Sequence, residues 1–276
     1  MKFLCLPGAY GSADKFQIQL APLVKELMSD DTASFRFIDA PCEAVPPKGF
    51  ADFFGNPPYY RFIEPDDKDT EETDVLSRIR DFPECDTAED TMRELMKEGI
   101  ASSVRSTDRA IQFLFDIMER EGPFEGIIGY SEGATVAGTL LLHEQRRREK
   151  AGRTPQIKCA VFFAGWPPLD PVTYKMVLSD ESDSMIDIHT CHISKVLKFS
   201  PAPPPLSTGT SRLNVLLLSV GSLDPYVSGS MALYNTCDPD TAYIFDHGKG
   251  HTLPREKGVV KELGDVVRNM IAEVST

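Results

Sequence analysis

Short, wholly apolar runs alternate along this chain with segments whose apolar residues recur at helical spacing, and few folds accept that pattern. Cys159–Ala164 carries no polar side chain, Leu213–Val220 is broken only by Asn214 and Ser219, and Phe3–Leu6 is equally apolar. Strands that read this way are covered on both faces, as in a parallel sheet. Gly126–Tyr130, Phe35–Ile38 and Ala242–Phe245 read as further strands. Between them, Asp14–Met28 places Phe16, Leu20, Leu23, Val24 and Leu27 on one helical side, and Ser106–Arg120 does the same with Ile111, Leu114, Phe115 and Met118. Thr135–Arg148 and Val259–Ala272 complete the helical set. The alternation predicts an α/β fold with a mostly parallel, doubly wound sheet.

The 276 residues suit one large domain, and no shift in composition marks a boundary, so a single domain over 1–276 is expected. A net charge of −13 argues against nucleic acid and against anionic membrane surfaces, both of which need clustered Lys and Arg. No apolar run approaches the roughly 18 residues of a membrane span. The opening Met1–Leu6 stops at Pro7-Gly8, too soon for a signal sequence. Six cysteines lie far apart without a C-x-x-C pair, so neither a metal site nor a redox motif is expected, and a reducing, cytoplasmic setting fits them. No cofactor is expected.

Two stretches break the alternation. Residues 42–105 are rich in Pro, acidic and aromatic residues, and 167–208 carry many prolines. Both follow predicted strands, where open α/β sheets place ligands. The first reads as an insertion and the second as a lid-like segment, with Met176, Met185 and Ile186 as an apolar underside.

Gly129-Tyr130-Ser131-Glu132-Gly133 is a G-x-S-x-G pattern between a predicted strand and a predicted helix. That is the setting of a nucleophile elbow, where a tight turn demands small neighbours for the serine. The base should lie in the loop after the last strand and the acid after the penultimate one. Of five histidines, His143 sits mid-helix beside Arg146–Arg148 on a solvated face, and His189 and His192 fall in the irregular second stretch. His247 and His251 both follow the last strand; His251, behind Gly248-Lys249-Gly250, is the better base. Asp224, in Gly221-Ser222-Leu223-Asp224-Pro225, is the expected acid, with Asp246 as the alternative. For the oxyanion, the Glu132 N–H is one donor and the Pro7–Gly11 loop, through Ala9 or Tyr10, supplies the other. That loop lacks the G-x-G-x-x-G or G-K-[ST] of a phosphate site.

Leu4-Cys5-Leu6-Pro7-Gly8, Gly129–Gly133, Ala164-Gly165-Trp166-Pro167-Pro168, Gly221–Pro225 and Gly250-His251-Thr252-Leu253-Pro254 stand in an order that resembles the "family of serine hydrolases" branch of the α/β-hydrolase fold. The resemblance covers nearly the whole chain and extends to fungal thioesterases that release polyketides. It implies a Ser131–Asp224–His251 triad and metal-free hydrolysis of esters or thioesters. Family members usually carry His-Gly where this chain has Pro7-Gly8.

Six aromatics in residues 50–62 suit the wall of an acyl pocket, with Phe53, Phe54, Tyr59 and Tyr60 as candidates and Trp166 beside them. A cluster that pins the insertion to the core is the competing reading. Arg146–Lys150 complements the dipole at a helix end and also offers a face to an acidic acyl carrier protein. The expected substrate is a small acyl molecule, first a polyketide-like thioester. A small ester or lactone, transfer or cyclisation from the same acyl-enzyme, and a non-catalytic binding protein on the same fold are the alternatives.

Overall fold

The computed structural model describes residues 1–48, 54–64, 82–97, 104–179, 190–191, 215–220, 223–238 and 242–275. The parallel sheet starts with β1 (Lys2–Leu6), which pairs with β2 (Ser34–Phe37) on one side and β5 (Gly126–Tyr130) on the other. It continues through β6 (Cys159–Phe163) and β8 (Val215–Val220) to β9 (Ala242–Asp246). A two-residue strand, β7 (Thr190–Cys191), pairs with β6 and β9. The interior is as apolar as the sequence requires: every residue of β6 is buried, and so are Phe3–Leu6 and Ile127–Ile128.

Crossovers between parallel strands are right-handed. The chain leaves β1 for β2 in one direction and β5 for β6 in the other. Helix α1 (Ala13–Met28) and helix α4 (Glu132–Ala151) therefore lie on opposite faces, as predicted. Helix α1 buries Phe16, Leu20, Leu23 and Leu27, the predicted stripe except for a half-buried Val24. It starts where Ser12 Oγ accepts from Lys15 N and Asp39 Oδ1 from Ala13 N. It packs against α6 (Lys257–Val274), where a Cβ on Gly264 would meet Glu26 Cγ at 2.6 Å. On the other face α3 (Val104–Glu121) packs on α4.

The order reverses between β1 and β5, which opens a crevice at their carboxyl ends. Above it lie elements the periodicity did not announce. Within residues 42–105, β3 (Cys42–Glu43) pairs antiparallel with β4 (Tyr60–Arg61), and helix α2 (Ala88–Lys97) packs on α5 (Val227–Asn235). Helix α5 is short and holds Gly229, a poor helix former. There the glycine is required, because a Cβ would stand 2.2 Å from Trp166 Cδ1. Glu89 is buried and ties the two helices together, accepting from Asn235 Nδ2 and Ser179 Oγ at 2.8 Å each.

Cys5, Cys42, Cys85, Cys159 and Cys237 are free. Burial pushes the Cys5 thiol up, and Cys159 to about 12, so both act as small apolar groups rather than nucleophiles. No helix among the described residues is long and apolar enough to cross a membrane, and no group of three potential metal ligands occurs among them.

Candidate active site

Ser131 is the first residue past β5, at φ 51° and ψ −120°, and α4 begins immediately after it at Glu132, earlier than periodicity suggested. A serine held at positive φ is strained. Its N–H donates to Phe163 O at 2.8 Å, and its C=O accepts from Ala134 N at 2.9 Å. The two glycines of the motif are needed for close approach. A Cβ on Gly133 would stand 2.4 Å from the carbonyl oxygens of both Leu6 and Pro7, and one on Gly129 would stand 2.5 Å from Ala134 Cα.

The other two residues of the expected triad follow the ends of β8 and β9. Asp224 lies four residues past β8 and His251 five past β9. His251 Nδ1 is 2.8 Å from Asp224 Oδ2, and Nε2 is 3.3 Å from Ser131 Oγ. The Asp224 side chain is fully buried, and its second oxygen accepts from Tyr226 N at 2.9 Å. A buried carboxylate needs such partners. Asp246 is engaged elsewhere, accepting from Gly248 N at 2.7 Å.

Two residues not singled out from the sequence hold the base. Tyr130, the first variable position of the motif, donates its hydroxyl to His251 O at 3.0 Å, and its ring packs on the imidazole. Burial, then the Asp224 charge, push this phenol above its ordinary value, so it stays a donor. Tyr226 stands edge-on to the imidazole with ring centres 5.3 Å apart. Its place two residues after Asp224 was a signal within reach of the sequence.

His247 is buried rather than presented to the crevice, and its Nδ1 has no hydrogen-bond partner. His143 is half-buried, which corrects the solvated placement expected from its arginine neighbours; Arg147 is drawn inward over the Phe115 ring. His189 and His192 lie outside the described residues. Burial is the largest influence on both His143 and His247 and lowers their pKa below 6.5. The unfolded chain then binds protons that the folded chain refuses. This contribution to stability is present above pH 6.5 and lost as pH falls through it. The thermal midpoint is expected to fall between about pH 7 and pH 5.5, with a shallower fall in His247→Phe. Comparing the two proteins isolates the imidazole, because Glu132 and Glu144, both raised by burial, give both proteins a slope of opposite sign. Equal slopes would remove His247 from the account.

The Pro7–Gly11 loop lies against the elbow: a Cβ on Gly8 would be 3.2 Å from Ser131 Cβ and 3.1 Å from Tyr130 Cδ1. Tyr10 N–H is already spent on Tyr60 O at 2.7 Å, and Gly11 N–H on Gly8 O at 3.0 Å. Tyr10 is therefore not an oxyanion donor, which leaves Ala9 as the candidate in this loop. The first N–H groups of a helix have no intrahelical acceptor, so Glu132 N–H points out beside Ser131.

The expected pocket residues separate. Phe53 lies outside the described residues. Phe54 packs on Tyr10 with ring centres 5.1 Å apart. Tyr59 bonds Gly55 O and carries Lys15 Nζ over its ring at 4.3 Å. Tyr60 acts through its backbone, pairing with Tyr10 and Gly11. Trp166 is fixed by reciprocal bonds to Thr135: its N–H donates to Oγ1 at 3.0 Å, and Oγ1 donates to its C=O at 3.1 Å. From Trp166, ring contacts run through Phe82 to Tyr226 and on to His251. Of the lid-like segment, Leu169 and Met176 are joined by a bridge and pack on the core; Met185 and Ile186 lie outside the described residues.

Known proteins resemble this chain along its length. "Hydrolase phiM" of Talaromyces stipitatus is 25% identical over 269 residues, covering 95% of this chain and 84% of the relative. "Esterase FUS5" of Gibberella moniliformis is 24% identical over 275 residues, covering 96% and 85%. Among solved structures, esterase PE8 superposes with a TM-score of 0.49 at 18% identity, over 98% of this chain and 92% of that one. The family model described as "Serine hydrolase (FSH1)" matches residues 1–263, and the chain belongs to that family.

Proposed function

We propose that this serine hydrolase cleaves a carboxylic thioester or ester through an acyl-enzyme on Ser131, and that its acyl chain is polyketide-like. The observation that carries the chemistry is the continuous relay from Asp224 Oδ2 through His251 to Ser131 Oγ, at 2.8 and 3.3 Å. With Nδ1–H donated to Asp224, Nε2 is free to accept the Ser131 proton as Oγ attacks the carbonyl carbon. The Glu132 and Ala9 N–H groups receive the negative oxygen, aided by the N-terminal end of α4. His251 then protonates the departing thiolate or alkoxide. Water, deprotonated by the same imidazole, releases the acid and restores Ser131. Relays of this type commonly start near 3.3 Å and tighten as substrate binds.

The acyl preference rests on the family resemblance and on the aromatic side chains between Trp166 and His251, which suit an apolar acyl group. An acyl carrier protein presenting the chain would dock at the carboxyl edge of the sheet. Arg146–Lys150 is unsuited to that, because a helix rising 1.5 Å per residue carries it roughly 25 Å from Ser131.

A fluorophosphonate is expected to leave one adduct on Ser131, and a rapidly quenched reaction with an acyl N-acetylcysteamine thioester to leave the acyl mass on the same residue. Folded protein with neither adduct would overturn the reading. A phosphonyl adduct with turnover of esters only would remove the thioester.

A further inference from the structure

The side chain of Glu132 does not point toward a substrate. It turns back across the crevice to the insertion, where Oε2 accepts from Phe62 N at 2.8 Å and Oε1 pairs with Arg61 Nη2 at 3.4 Å. Both ionic side chains are only 13% exposed. Arg61 continues the chain of contacts: Nη1 donates to the Tyr10 hydroxyl at 3.1 Å, and the guanidinium lies over the Tyr10 ring. Strand β4 closes the circuit, with Tyr10 N–H donating to Tyr60 O at 2.7 Å and Tyr60 N–H to Gly11 O at 3.1 Å. The loop held this way is the one whose Gly8 abuts Ser131.

On the reading of Ser131 as an acyl-accepting nucleophile, we propose that the Glu132 carboxylate and Arg61 form a positioning pair for the oxyanion hole. One residue then serves twice. Its N–H is one donor, and its side chain, through β4, sets the distance to the other donor at Ala9. Physical economy favours this over a purely structural tie. A buried ion pair contributes little net stability compared with apolar residues of the same volume, whereas a donor displaced by about 1 Å can cost on the order of 10²-fold in rate. Burial pushes the Glu132 carboxyl up, and Arg61 and the Phe62 and Ile63 amides oppose it.

The test compares Glu132→Ala, Glu132→Gln and Arg61→Lys with wild type, using an activated acyl ester and a trifluoromethyl ketone of matching chain. Ser131 Oγ adds to the ketone carbon, the C=O π pair moves onto oxygen, and the serine proton goes to His251, so the adduct occupies the oxyanion hole without turnover. Glu132→Ala is expected to lower kcat by roughly 10- to 100-fold and to weaken the ketone in the same proportion, with KM moving less than about twofold. Glu132→Gln, which keeps an acceptor for Phe62 N–H, should recover most of the loss. A kcat within twofold of wild type, or a slowed enzyme with unchanged ketone affinity, would overturn the proposal. So would equal weakening of KM and ketone binding at unchanged kcat, which marks a collapsed pocket. If Glu132→Ala does not fold, Tyr10→Phe decides: it removes the hydroxyl that accepts from Arg61, and a smaller loss of the same selective kind supports the proposal, while none overturns it. Wild type inert to both fluorophosphonate and ketone would instead sink the hydrolytic reading, and this one with it.

Discussion

Ser131→Ala is expected to lower kcat by roughly 10⁴- to 10⁶-fold while leaving the fold intact. The side chain makes no capping bond to α4, the partner its loss releases is Nε2 of the partly exposed His251, and alanine meets the positive φ as another L-residue does. The backbone donors at Glu132 and in the Gly8–Ala9 loop survive the change. Some rate above the uncatalysed reaction should therefore remain, on the order of 10³-fold, from water attacking a carbonyl still polarised by the hole. Initial rates on an activated ester, with protein matched by thermal midpoint, check this. Turnover within tenfold of wild type would mean that another group attacks.

Asp224→Asn should be nearly as damaging, at about 10⁴-fold in kcat with KM within a few-fold. The reason is orientation. Tyr226 N–H is fixed against one side-chain oxygen of residue 224. An asparagine would keep its carbonyl oxygen there and turn its NH2 toward His251 Nδ1. The imidazole would then have to accept at Nδ1 and carry its proton on Nε2, the nitrogen that must take the Ser131 proton. The substitution is isosteric and buried, so a large loss of rate beside a small change in thermal midpoint distinguishes a wrong tautomer from a broken fold. A variant with more than a tenth of wild-type kcat would contradict the relay.

The Asp224–His251–Ser131 arrangement was legible in the sequence because each of the three follows a predicted strand by a few residues, and because chain order alone separates the expected base from the expected acid. The choice of His251 over His247 rested on the glycines before it, and the burial of His247 is the physical counterpart. Legibility ended where tertiary packing overrides local preference. Helix α5 carries Gly229 in its interior, and only the indole of Trp166 explains why. Helix α2 shows few apolar residues and owes its seat to Met92 and Leu95 against α5. Arg61 is a lone cation in an aromatic tract, with nothing nearby in sequence to announce Glu132, 71 positions later. His143 was misplaced because its arginine neighbours read as solvated, although the stem of Arg147 is long enough to cover Phe115.

The bond from the Tyr130 hydroxyl to the His251 carbonyl joins the strand that carries the nucleophile to the turn that carries the base. Nucleophile and base are thus registered against each other through the nucleophile's neighbour and the carbonyl of the base itself. The catalytic unit is therefore portable. Exchanging parts of residues 42–105 and 167–208 for those of a relative, with Arg61 and Phe62 kept, is expected to alter which acyl groups are admitted while conserving reactivity toward a small activated ester. Chimeras that respect the Tyr130–His251 tie and the Arg61–Phe62 anchor define a practical route to new selectivities on this scaffold.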